Sequence, residues 1–487
     1  PQLDYSAKFG KSKVSTLVGG SYQYIEQNVL TITSSGYSND SFINSLSAAT
    51  TINSRGNASS QYKYAALYGR INYNYDNRYI VNFSGRRDGS SRFGPNRQYS
   101  NFGAVGLAWV FTNEKFVKDA LPFLSSGKLR GSYGVTGNDQ IGNYQFLDTY
   151  QTTNPYQGSA ALVPRALFNP DFTWEKNKKT EAGLELGFLN DRLNLSVAYY
   201  HNISGNQLVS YKLPSQTGFV SVVKNLDATI RNSGFEFNGQ GTLISSQKVN
   251  WKMNFSLTVP RTKLTAFPGL AESSYASFYV IGQSPNLIYA YRSSGVDPAT
   301  GAYAFEDVDK NGFYDNNDYQ VNGNLDPKYF GGIGTSLSLG NFDLNVFLSF
   351  RKQMGSSYLA QAAFSTPGSF ANQSTIVLDR WQNTGNSSPI QRFTASTSSD
   401  AYGAAINSYN SVLAYTDASF LRMKNISLGY DLTSLFPAKL NIKKLRLFVL
   451  GENLFTITGY KGGDPETQTL LTLPPLRTIT AGIQINL

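Results

Sequence analysis

Pro475-Leu-Arg-Thr-Ile-Thr-Ala-Gly-Ile-Gln-Ile-Asn-Leu487, the last stretch of this sequence, predicts its fold. From Thr478 onward, small or polar residues alternate strictly with apolar ones. Successive side chains of a strand point to opposite faces, so the pattern predicts a strand with one apolar face, as in the wall of a membrane barrel. The terminal strand of a soluble protein usually becomes polar because termini fray.

The same alternation recurs along the whole sequence. In Leu193–Tyr199 apolar residues occupy every second position, and Phe342–Phe350 and Ile426–Leu432 repeat the pattern. Further runs of this kind lie near 2–9, 13–28, 64–75, 78–86, 99–111, 126–135, 178–188, 230–244, 250–259, 328–339 and 444–457. We predict about fifteen strands, many longer than the roughly 5–6 residues of soluble strands and long enough for a tilted membrane strand of about 9–11 residues.

Composition favours the same class of protein. Charged residues make up 15% of the 487 residues and aromatic residues 14%, with 44 Gly, 32 Tyr and 31 Phe. A soluble domain averages about 25% charged residues. The mean hydropathy is −0.30, and no run approaches the roughly 18 apolar residues of a membrane helix. On composition alone, a soluble all-β sandwich or adhesin array is an equal alternative.

Cysteine and histidine usage excludes several chemistries. Without cysteine there is no disulfide or thiol chemistry, and the single histidine, His201, leaves no histidine-based metal cluster. The formal charge of +10 fits an acidic partner or lipopolysaccharide phosphates, although such an excess is more often spread over loops and strand ends. We expect neither a nucleic-acid partner nor an enzyme.

The connections between the strands are of two alternating kinds. Tight turns are predicted at Tyr75–Arg78, Asn190–Arg192, Ser245–Lys248 and Gly340-Asn341, with long linkers between them. Short turns on one side and long loops on the other are typical of bacterial outer-membrane barrels, whose turns are periplasmic. We therefore predict one region over 1–487, the C-terminal part of a transmembrane β-barrel, with long extracellular loops near 30–60, 138–172, 260–326 and 355–419.

Strand parity leads to a further expectation. If the last strand descends to the periplasm, counting back about fifteen strands makes the first one descend as well. Bacterial barrels close with an even number of strands, because an open edge in lipid leaves backbone groups unpaired. We therefore expect part of the barrel, together with a signal peptide, to lie upstream of this sequence.

Several segments resemble SusC/RagA-type TonB-dependent transporters, nutrient importers that work with a SusD-type surface lipoprotein. The resemblance covers most of 60–487, in order and at matching spacing. The segments that carry it are Asn101–Trp109, Phe123–Asn138 with its "TGN" end, Trp174–Glu185, Ile281–Gly301 with "IGQ" and "DPATG", Phe420–Tyr430, Gly451–Glu466 and Leu476–Thr478. Two positions depart from the family pattern: Leu476 stands where proline is common, and Leu487 stands where phenylalanine is typical.

The resemblance implies an all-β, transmembrane antiparallel β-barrel of about 22 strands, of which this chain supplies roughly the last fifteen, without the plug domain. It also implies an outer-membrane location and TonB-dependent uptake of an oligosaccharide or peptide. The implied partners are a SusD-like lipoprotein, the TonB–ExbB–ExbD complex acting through the missing N-terminal part, lipid and lipopolysaccharide, and the BAM machinery for insertion.

One segment carries metal-binding chemistry. Residues 307–318 fit the pattern D-x-D-x-N-G-x-x-D-x-x-D. Calcium takes six to eight oxygen ligands, and a glycine at the sixth position permits the sharp turn of such a loop. The predicted ligands of a structural Ca²⁺ are Asp307, Asp309, Asn311, the carbonyl of Phe313, Asp315 and Asp318. The alternative is a polar linker, because Asp, Asn and Gly also form turns.

Two alternative functions remain open. The first is a siderophore or cobalamin receptor of the wider TonB-dependent class, against which the long acidic linker and the "DPATG" segment of Asp297–Gly301 argue. The second is a non-transporting barrel subunit or scaffold of a larger outer-membrane complex. The sequence does not identify the residues that bind a substrate.

Overall fold

The structure is a computed structural model. It describes residues 1–152, 157, 159, 161–358, 368, 372–435 and 443–486, apart from the side chains of residues 54, 55 and 215. Leu487 and parts of the predicted loops 138–172 and 355–419 therefore lie outside the described residues.

Strands dominate the described residues. In chain order they are β1 (Gln2–Phe9), β2 (Ser12–Ser35), β3 (Thr51–Tyr75), β4 (Tyr79–Ser90), β5 (Tyr99–Trp109), β6 (Leu124–Asn138), β7 (Thr149–Thr152), β8 (Leu162–Ala166), β9 (Glu175–Phe188), β10 (Leu193–Gly205), β11 (Gln207–Lys212), β12 (Ser221–Leu226), β13 (Thr229–Ser245), β14 (Val249–Ala266), β15 (Leu287–Ala290), β16 (Ser293–Val296), β17 (Tyr303–Phe305), β18 (Gln320–Asn324), β19 (Tyr329–Leu339), β20 (Phe342–Lys352), β21 (Met354–Ser356), β22 (Tyr415–Asp417), β23 (Phe420–Asp431), β24 (Lys444–Glu452), β25 (Thr456–Thr458) and β26 (Thr478–Asn486).

One sheet carries the long strands. Among the described residues it has 16 strands, in the hydrogen-bonded order β1-β2-β3-β4-β5-β6-β9-β10-β13-β14-β19-β20-β23-β24-β26, with β25 pairing to β23 beside this path. The prediction of about fifteen consecutive strands is confirmed. The short strands form two-stranded sheets of their own within the loops, namely β7-β8, β11-β12, β15-β18, β16-β17 and β21-β22.

The chain divides into two compact units, which we describe separately. The first unit consists of Pro1–Ala108, Gly131–Thr180 and Ile203–Thr229, and the second of Trp109–Arg130, Glu181–Asn202 and Ile230–Leu487. Strands β1 to β4 belong to the first unit, and strands β14 to β26 belong to the second.

The first unit shows the two-faced pattern that the sequence predicts. Strands β3 and β4 pair so that Ile71 lies opposite Phe83, and Asn72 lies opposite Asn82. Ile71 and Phe83 therefore lie on an apolar face of this pair, and Asn72 and Asn82 lie on the opposite, polar face, because successive side chains alternate. Ile71 and Phe83 are about half exposed, at 49% and 55%, which is expected of side chains that face lipid.

The second unit repeats the pattern across four strands. Phe255 of β14 pairs with Ile333 of β19, and Ile333 pairs with Leu348 of β20. Leu348 in turn lies opposite Met423 of β23, next to a register shift. A continuous apolar row therefore crosses β14, β19, β20 and β23 on one face.

The terminal strand forms as predicted. Strand β26 pairs with β24 over its whole length, from Lys444 opposite Asn486 to Glu452 opposite Thr478. Its apolar residues Ile479, Ile483 and Ile485 are 69%, 64% and 57% exposed. The alternation therefore produces an apolar face that nothing in the described part of the chain covers.

The tight turns depend on residues that tolerate a positive φ. Asp76 and Asn77, between β3 and β4, both have a φ of 53°. Two such residues in succession make the type I′ turn that matches the twist of a hairpin, and Asn and Asp are among the residues that adopt it. The predicted turn at Tyr75–Arg78 is thus confirmed.

Two sequence predictions about strand limits are wrong. The loop near 30–60 is shorter than predicted, because β2 continues to Ser35 and β3 begins at Thr51. The two strands stay paired from Ser12–Tyr75 to Ser35–Thr51. The strand near 444–457 is two strands, and β25 pairs with the start of β23. The start of β3 is mostly polar on both faces and carries no alternation, so the sequence pattern misses this extension.

Helices are few and short. The α-helices among the described residues are Lys115–Ala120 and Asp400–Tyr409, and the 3₁₀ helices are Asp40–Phe42, Leu46–Ala48, Phe111–Asn113, Ser215–Thr217, Asn316–Asp318, Thr375–Asp379, Val412–Ala414 and Thr433–Leu435. In the described ranges, none of the helices has the length and apolar character needed to cross a bilayer.

Candidate functional site

The acidic segment 307–318 joins β17 to β18 in the second unit. Each of these strands belongs to a small hairpin, β17 paired with β16 and β18 paired with β15. Within the segment, Gly312 has a φ of 83° and Lys310 a φ of 58°. The left-handed backbone at Gly312 is the sharp turn that the sequence pattern predicts at the sixth position.

Three of the predicted ligands come together in the structure. One carboxylate oxygen each from Asp307, Asp309 and Asp318 lies within 4.8 Å of the other two. Oxygens that bind calcium lie about 2.3–2.6 Å from the ion, so two oxygens on one ion are at most about 5 Å apart. The spacing of the three carboxylates therefore suits a single calcium ion.

Backbone N–H groups hold Asp318 in place. Its side chain is completely buried, with Oδ1 accepting from the N–H of Val308 at 2.7 Å and Oδ2 from the N–H of Asp315 at 3.0 Å. The backbone N–H of Asp315, followed by those of Val308 and Asp309, lowers the pKa of Asp318 below its ordinary value of 3.8, against the opposing effect of desolvation. Asp318 is therefore an ionised and fixed carboxylate at neutral pH.

Asp307 has one oxygen with no partner. Its Oδ2 accepts from the N–H of Gly312 at 2.9 Å, whereas its Oδ1 is buried and accepts no hydrogen bond from any described residue. A buried carboxylate oxygen without a partner is unfavourable, because it has lost its water and gained nothing in return. A cation between the three carboxylates would satisfy it.

The other predicted ligands are near but differently engaged. The side-chain oxygen of Asn311 accepts from the N–H of Phe313 at 2.7 Å, and its amide donates to Asp309 at 3.1 Å. Asp315 caps the 3₁₀ helix Asn316–Asp318, with Oδ1 accepting from the N–H of Asn317 at 2.7 Å. The carboxylate of Asp315 does not belong to the 4.8 Å cluster, and Phe313, the predicted carbonyl ligand, is a 76% exposed residue.

A cage of aromatic rings supports the acidic segment. Tyr291 lies 4.7 Å from the ring of Tyr319 and 5.7 Å from that of Phe305, and Phe305 lies 5.4 Å from Tyr314. Burial is the main cause that raises the pKa of Tyr291 to about 12, followed by Tyr319 and then the carboxylates of Asp318 and Asp315. The rings flank the segment on both sides along the chain.

The cage connects two outer loops. The N–H of Tyr291 donates to the carbonyl of Asn410 at 2.9 Å, and the N–H of Val412 donates to the carbonyl of Tyr291 at 3.0 Å. Ala401 and Ala404 of the helix Asp400–Tyr409 pack in the same apolar cluster as Tyr291. The position of the acidic segment is therefore tied to residues about one hundred positions later in the chain.

A second cluster, which the sequence did not indicate, is built around Arg422. Arg422 lies near the start of β23, next to the outer loops, and is nevertheless only 1% exposed. It forms ion pairs with Asp464 and with Glu466, the latter at 2.8 Å, and its Nε donates to Thr456 at 3.0 Å. Lys424 pairs with the same Glu466 at 2.7 Å.

The Arg422 cluster fixes the last outer loop. The backbone N–H groups of Glu466 and Thr467 both donate to Asp464 Oδ1, at 2.9 and 3.1 Å. From the other side, Gln353 Nε2 donates to the carbonyl of Pro465 at 3.1 Å. The segment Asp464-Pro-Glu466 is thus held by contacts to both β23 and the residue after β20.

A third feature is a cavity of about 500 Å³ in the first unit, with a lining that is more apolar than polar. Arg86 lines the cavity, forms an ion pair with Asp88 at 2.8 Å and donates a hydrogen bond to the hydroxyl of Tyr64 at 2.6 Å. Phe102 and Trp174 also line the cavity and pack in an aromatic cluster with Phe93 and Phe172. Arg86 and Asp88 neutralise each other, and the other lining charges, Arg70 and Asp139, form no pair with each other, so the geometry of the cavity alone does not identify a ligand.

The architecture defines the class of the protein. Long antiparallel strands, an exposed apolar face and tight turns are the features of an outer-membrane β-barrel. Residues 1–454 match the family model described as "TonB dependent receptor-like, beta-barrel", and the chain belongs to this family. The chain is therefore an outer-membrane protein.

Individual relatives agree with this assignment. TonB-dependent receptor P3 of Formosa agariphila is 28% identical over 95% of this chain and 48% of its own length. TonB-dependent receptor SusC of Bacteroides thetaiotaomicron is 28% identical over 83% of this chain and 41% of its own. The solved structure of the RagAB peptide transporter superposes with a TM-score of 0.84 at 26% identity, covering 99% of this chain and 54% of that chain. The SusC/RagA resemblance is confirmed, and the chain spans about half the length of the curated relatives it matches.

Proposed function

We propose that this chain forms barrel strands and outer loops of a SusC-type importer that carries an oligosaccharide or a peptide across the outer membrane. In this proposal a SusD-like surface lipoprotein delivers the substrate and the TonB complex supplies the energy. The observation that carries the proposal is the superposition of 99% of the chain on the RagAB peptide transporter. The part of the protein that contacts TonB would lie outside this sequence.

The outer loops support a role in receiving a large ligand. In the second unit they are built as folded modules, with paired strands, the aromatic cage and the Arg422 cluster. Ordered outer loops can present a fixed surface to a lipoprotein or substrate, because less conformational freedom is lost on binding. No step of this function requires covalent chemistry.

Growth of the bacterium that encodes the chain tests the proposal. We expect deletion of the gene to abolish growth on one class of nutrient, either an oligosaccharide or a peptide mixture supplied as sole source. Wild-type gene should restore growth, but only where tonB is intact. A surface lipoprotein should be recovered with the full-length protein.

Two results would contradict this proposal. Growth that fails only under iron limitation would favour a siderophore receptor instead. Unchanged uptake of every nutrient, combined with loss of another outer-membrane complex, would favour the scaffold alternative. In each case the deletion strain is compared with the same strain carrying the gene, so that general damage to the membrane is controlled.

We further propose that the acidic segment binds one structural Ca²⁺ ion. The support is the 4.8 Å cluster of Asp307, Asp309 and Asp318 together with the unpartnered buried Oδ1 of Asp307. Hard oxygen ligands of this kind suit calcium. Asn311 and Asp315, which adjoin the cluster through hydrogen bonds, would complete the shell after small side-chain rotations.

Calcium binding should depend on pH in a defined way. Backbone N–H groups lower the pKa of Asp318 below 3.8, so its ionised form is present above that value and is lost as the pH falls through the lowered pKa. We expect calorimetry to give equal calcium affinity at about pH 7 and pH 5 and a steep loss below about pH 4. A large loss of calcium affinity already between pH 7 and pH 5 would contradict a site whose titrating ligands are all carboxylates.

A further inference from the structure

The first unit presents cations at one end of its apolar face. Lys63 of β3 lies opposite Tyr24 of β2, and Arg87 of β4 lies opposite Leu67 of β3. Since side chains alternate between faces, Lys63 shares its face with Leu67 and Ile71, the apolar row that faces lipid. Lys63 and Arg87 are both exposed.

The height of these cations follows from the strand geometry. The tight turn at Asp76-Asn77 marks the periplasmic end, and Tyr75 and Tyr79 beside it are 42% and 47% exposed, as expected of an interfacial aromatic belt. Arg87 lies eight residues beyond Tyr79, which is about 20 Å along the membrane normal for a strand tilted by roughly 40°. Lys63 lies twelve residues before Tyr75, which is about 30 Å on the same estimate.

The two heights lie on either side of the outer boundary of the hydrocarbon layer of the membrane. The apolar band of such barrels is about 25 Å tall, so Arg87 lies just below its upper edge and Lys63 just above. Long cationic side chains extend toward the interface while their stems stay in the apolar layer. Both charges can therefore reach the layer of lipid headgroups in the outer leaflet.

The cations are positioned by aromatic rings and have no ionic partner. Lys63 Nζ lies 5.8 Å from the ring centre of Tyr24, and the Arg87 guanidinium lies 5.4 Å from that of Tyr99. Arg87 also donates to Asn101 at 3.4 Å. Among the described residues no carboxylate pairs with either cation. The acidic side chain on this face, Glu26, accepts from the hydroxyl of Tyr24 at 2.9 Å.

We propose that Lys63 and Arg87 form a binding site for the phosphate groups of an anionic lipid of the outer leaflet, of the lipid A type. The rings of Tyr24 and Tyr99 would hold the two cations at headgroup height, and the apolar row below would receive the acyl chains. Basic side chains at this level attract anionic headgroups. The site lies on the lipid face and is independent of the substrate that the protein transports.

Binding of lipid A to the full-length protein, purified from outer membranes and stripped of lipid, tests the proposal. We expect native mass spectrometry to show bisphosphorylated lipid A bound to the wild type and dephosphorylated lipid A bound much more weakly. Removal of one charge near a membrane surface should lower the affinity about 5-fold, and the double variant Lys63→Gln, Arg87→Gln about 25-fold.

Two further variants separate the site from general effects. Lys13→Gln with Arg70→Gln removes the same charge from the polar face of the same hairpin, where Lys13 lies opposite Asn74 and Arg70 opposite Ser84. This variant should bind lipid A like the wild type. The exchange Lys63→Arg with Arg87→Lys keeps both charges and should also retain binding.

Several outcomes would overturn the proposal. If the wild type and the Gln double variant bound lipid A with equal affinity, the two cations would not contribute to binding. If dephosphorylated lipid A bound as tightly as the bisphosphorylated form, the phosphates would not be recognised and binding would depend on the acyl chains alone. Displacement of the lipid by millimolar inorganic phosphate would point to a free-phosphate site rather than a lipid site. If the polar-face variant lost as much affinity as the Gln double variant, the effect would come from net charge and not from a site.

Discussion

Replacing Arg422 with alanine is expected to destabilise the protein by about 3–5 kcal/mol. The substitution leaves Asp464, itself 5% exposed, as a buried carboxylate with no cation beside it. Breaking a buried ion pair from one side is far more damaging than removing both partners, because the remaining charge stays out of water. The midpoint of urea unfolding in lipid vesicles, followed by tryptophan fluorescence, measures the change.

Two comparison variants sharpen this test. Lys352→Ala breaks a pair with Asp417 in which both side chains are well exposed, at 38% and 52%, so it should cost at most about 1 kcal/mol. The double variant Arg422→Met, Asp464→Leu removes both buried charges and should recover part of the lost stability. A cost for Arg422→Ala no larger than that for Lys352→Ala would show that the cluster does not depend on a buried charge.

Adding calcium to the chelator-treated full-length protein is expected to stabilise it by about 2.7 kcal/mol once the free ion reaches about 100 times its dissociation constant. The gain arises because the ion binds the folded acidic segment, where Asp307 Oδ1 lacks any other partner. The midpoint of urea unfolding, measured with calcium and with chelator, reports this gain in stability.

The calcium effect should disappear in one variant and persist in another. Asp307→Asn removes a charge from the three-carboxylate cluster, and we expect its unfolding midpoint to be the same with calcium and with chelator. Asp400→Asn removes the same charge from the exposed first turn of the helix Asp400–Tyr409, and it should keep the full response. An identical calcium response in wild type and Asp307→Asn would place the ion elsewhere.

The strands could be predicted from the sequence because their signal is local. Residues such as Ile479, Ile483 and Ile485 alternate with polar neighbours wherever one face meets lipid, and the register then follows from tight turns such as Asp76-Asn77. The acidic segment could be predicted for a similar reason: its residues occupy fixed positions within twelve consecutive residues.

The contacts between distant segments could not be predicted in this way. Arg422 meets Asp464 across 42 residues, and Tyr291 meets Asn410 across more than one hundred. Nothing in the residues around Arg422 distinguishes it from an arginine that faces water, because its burial is created by the loop that folds over it. Such clusters emerge only when the loops are placed in space.

The two ends of the β2–β3 hairpin differ in their support from neighbouring strands. At the base, far from the segment that joins the two strands, β2 is flanked by β1 from Ser12 to Gly19, and β3 is flanked by β4 from Tyr64 to Tyr75. Beyond those points the two strands pair with each other up to Ser35 and Thr51. A two-stranded ribbon alone is only marginally stable in water, so the outer half can open and re-form locally while the base remains intact. A partner that docks on the tip would therefore meet an adaptable surface, and the ordering it imposes would weaken its binding.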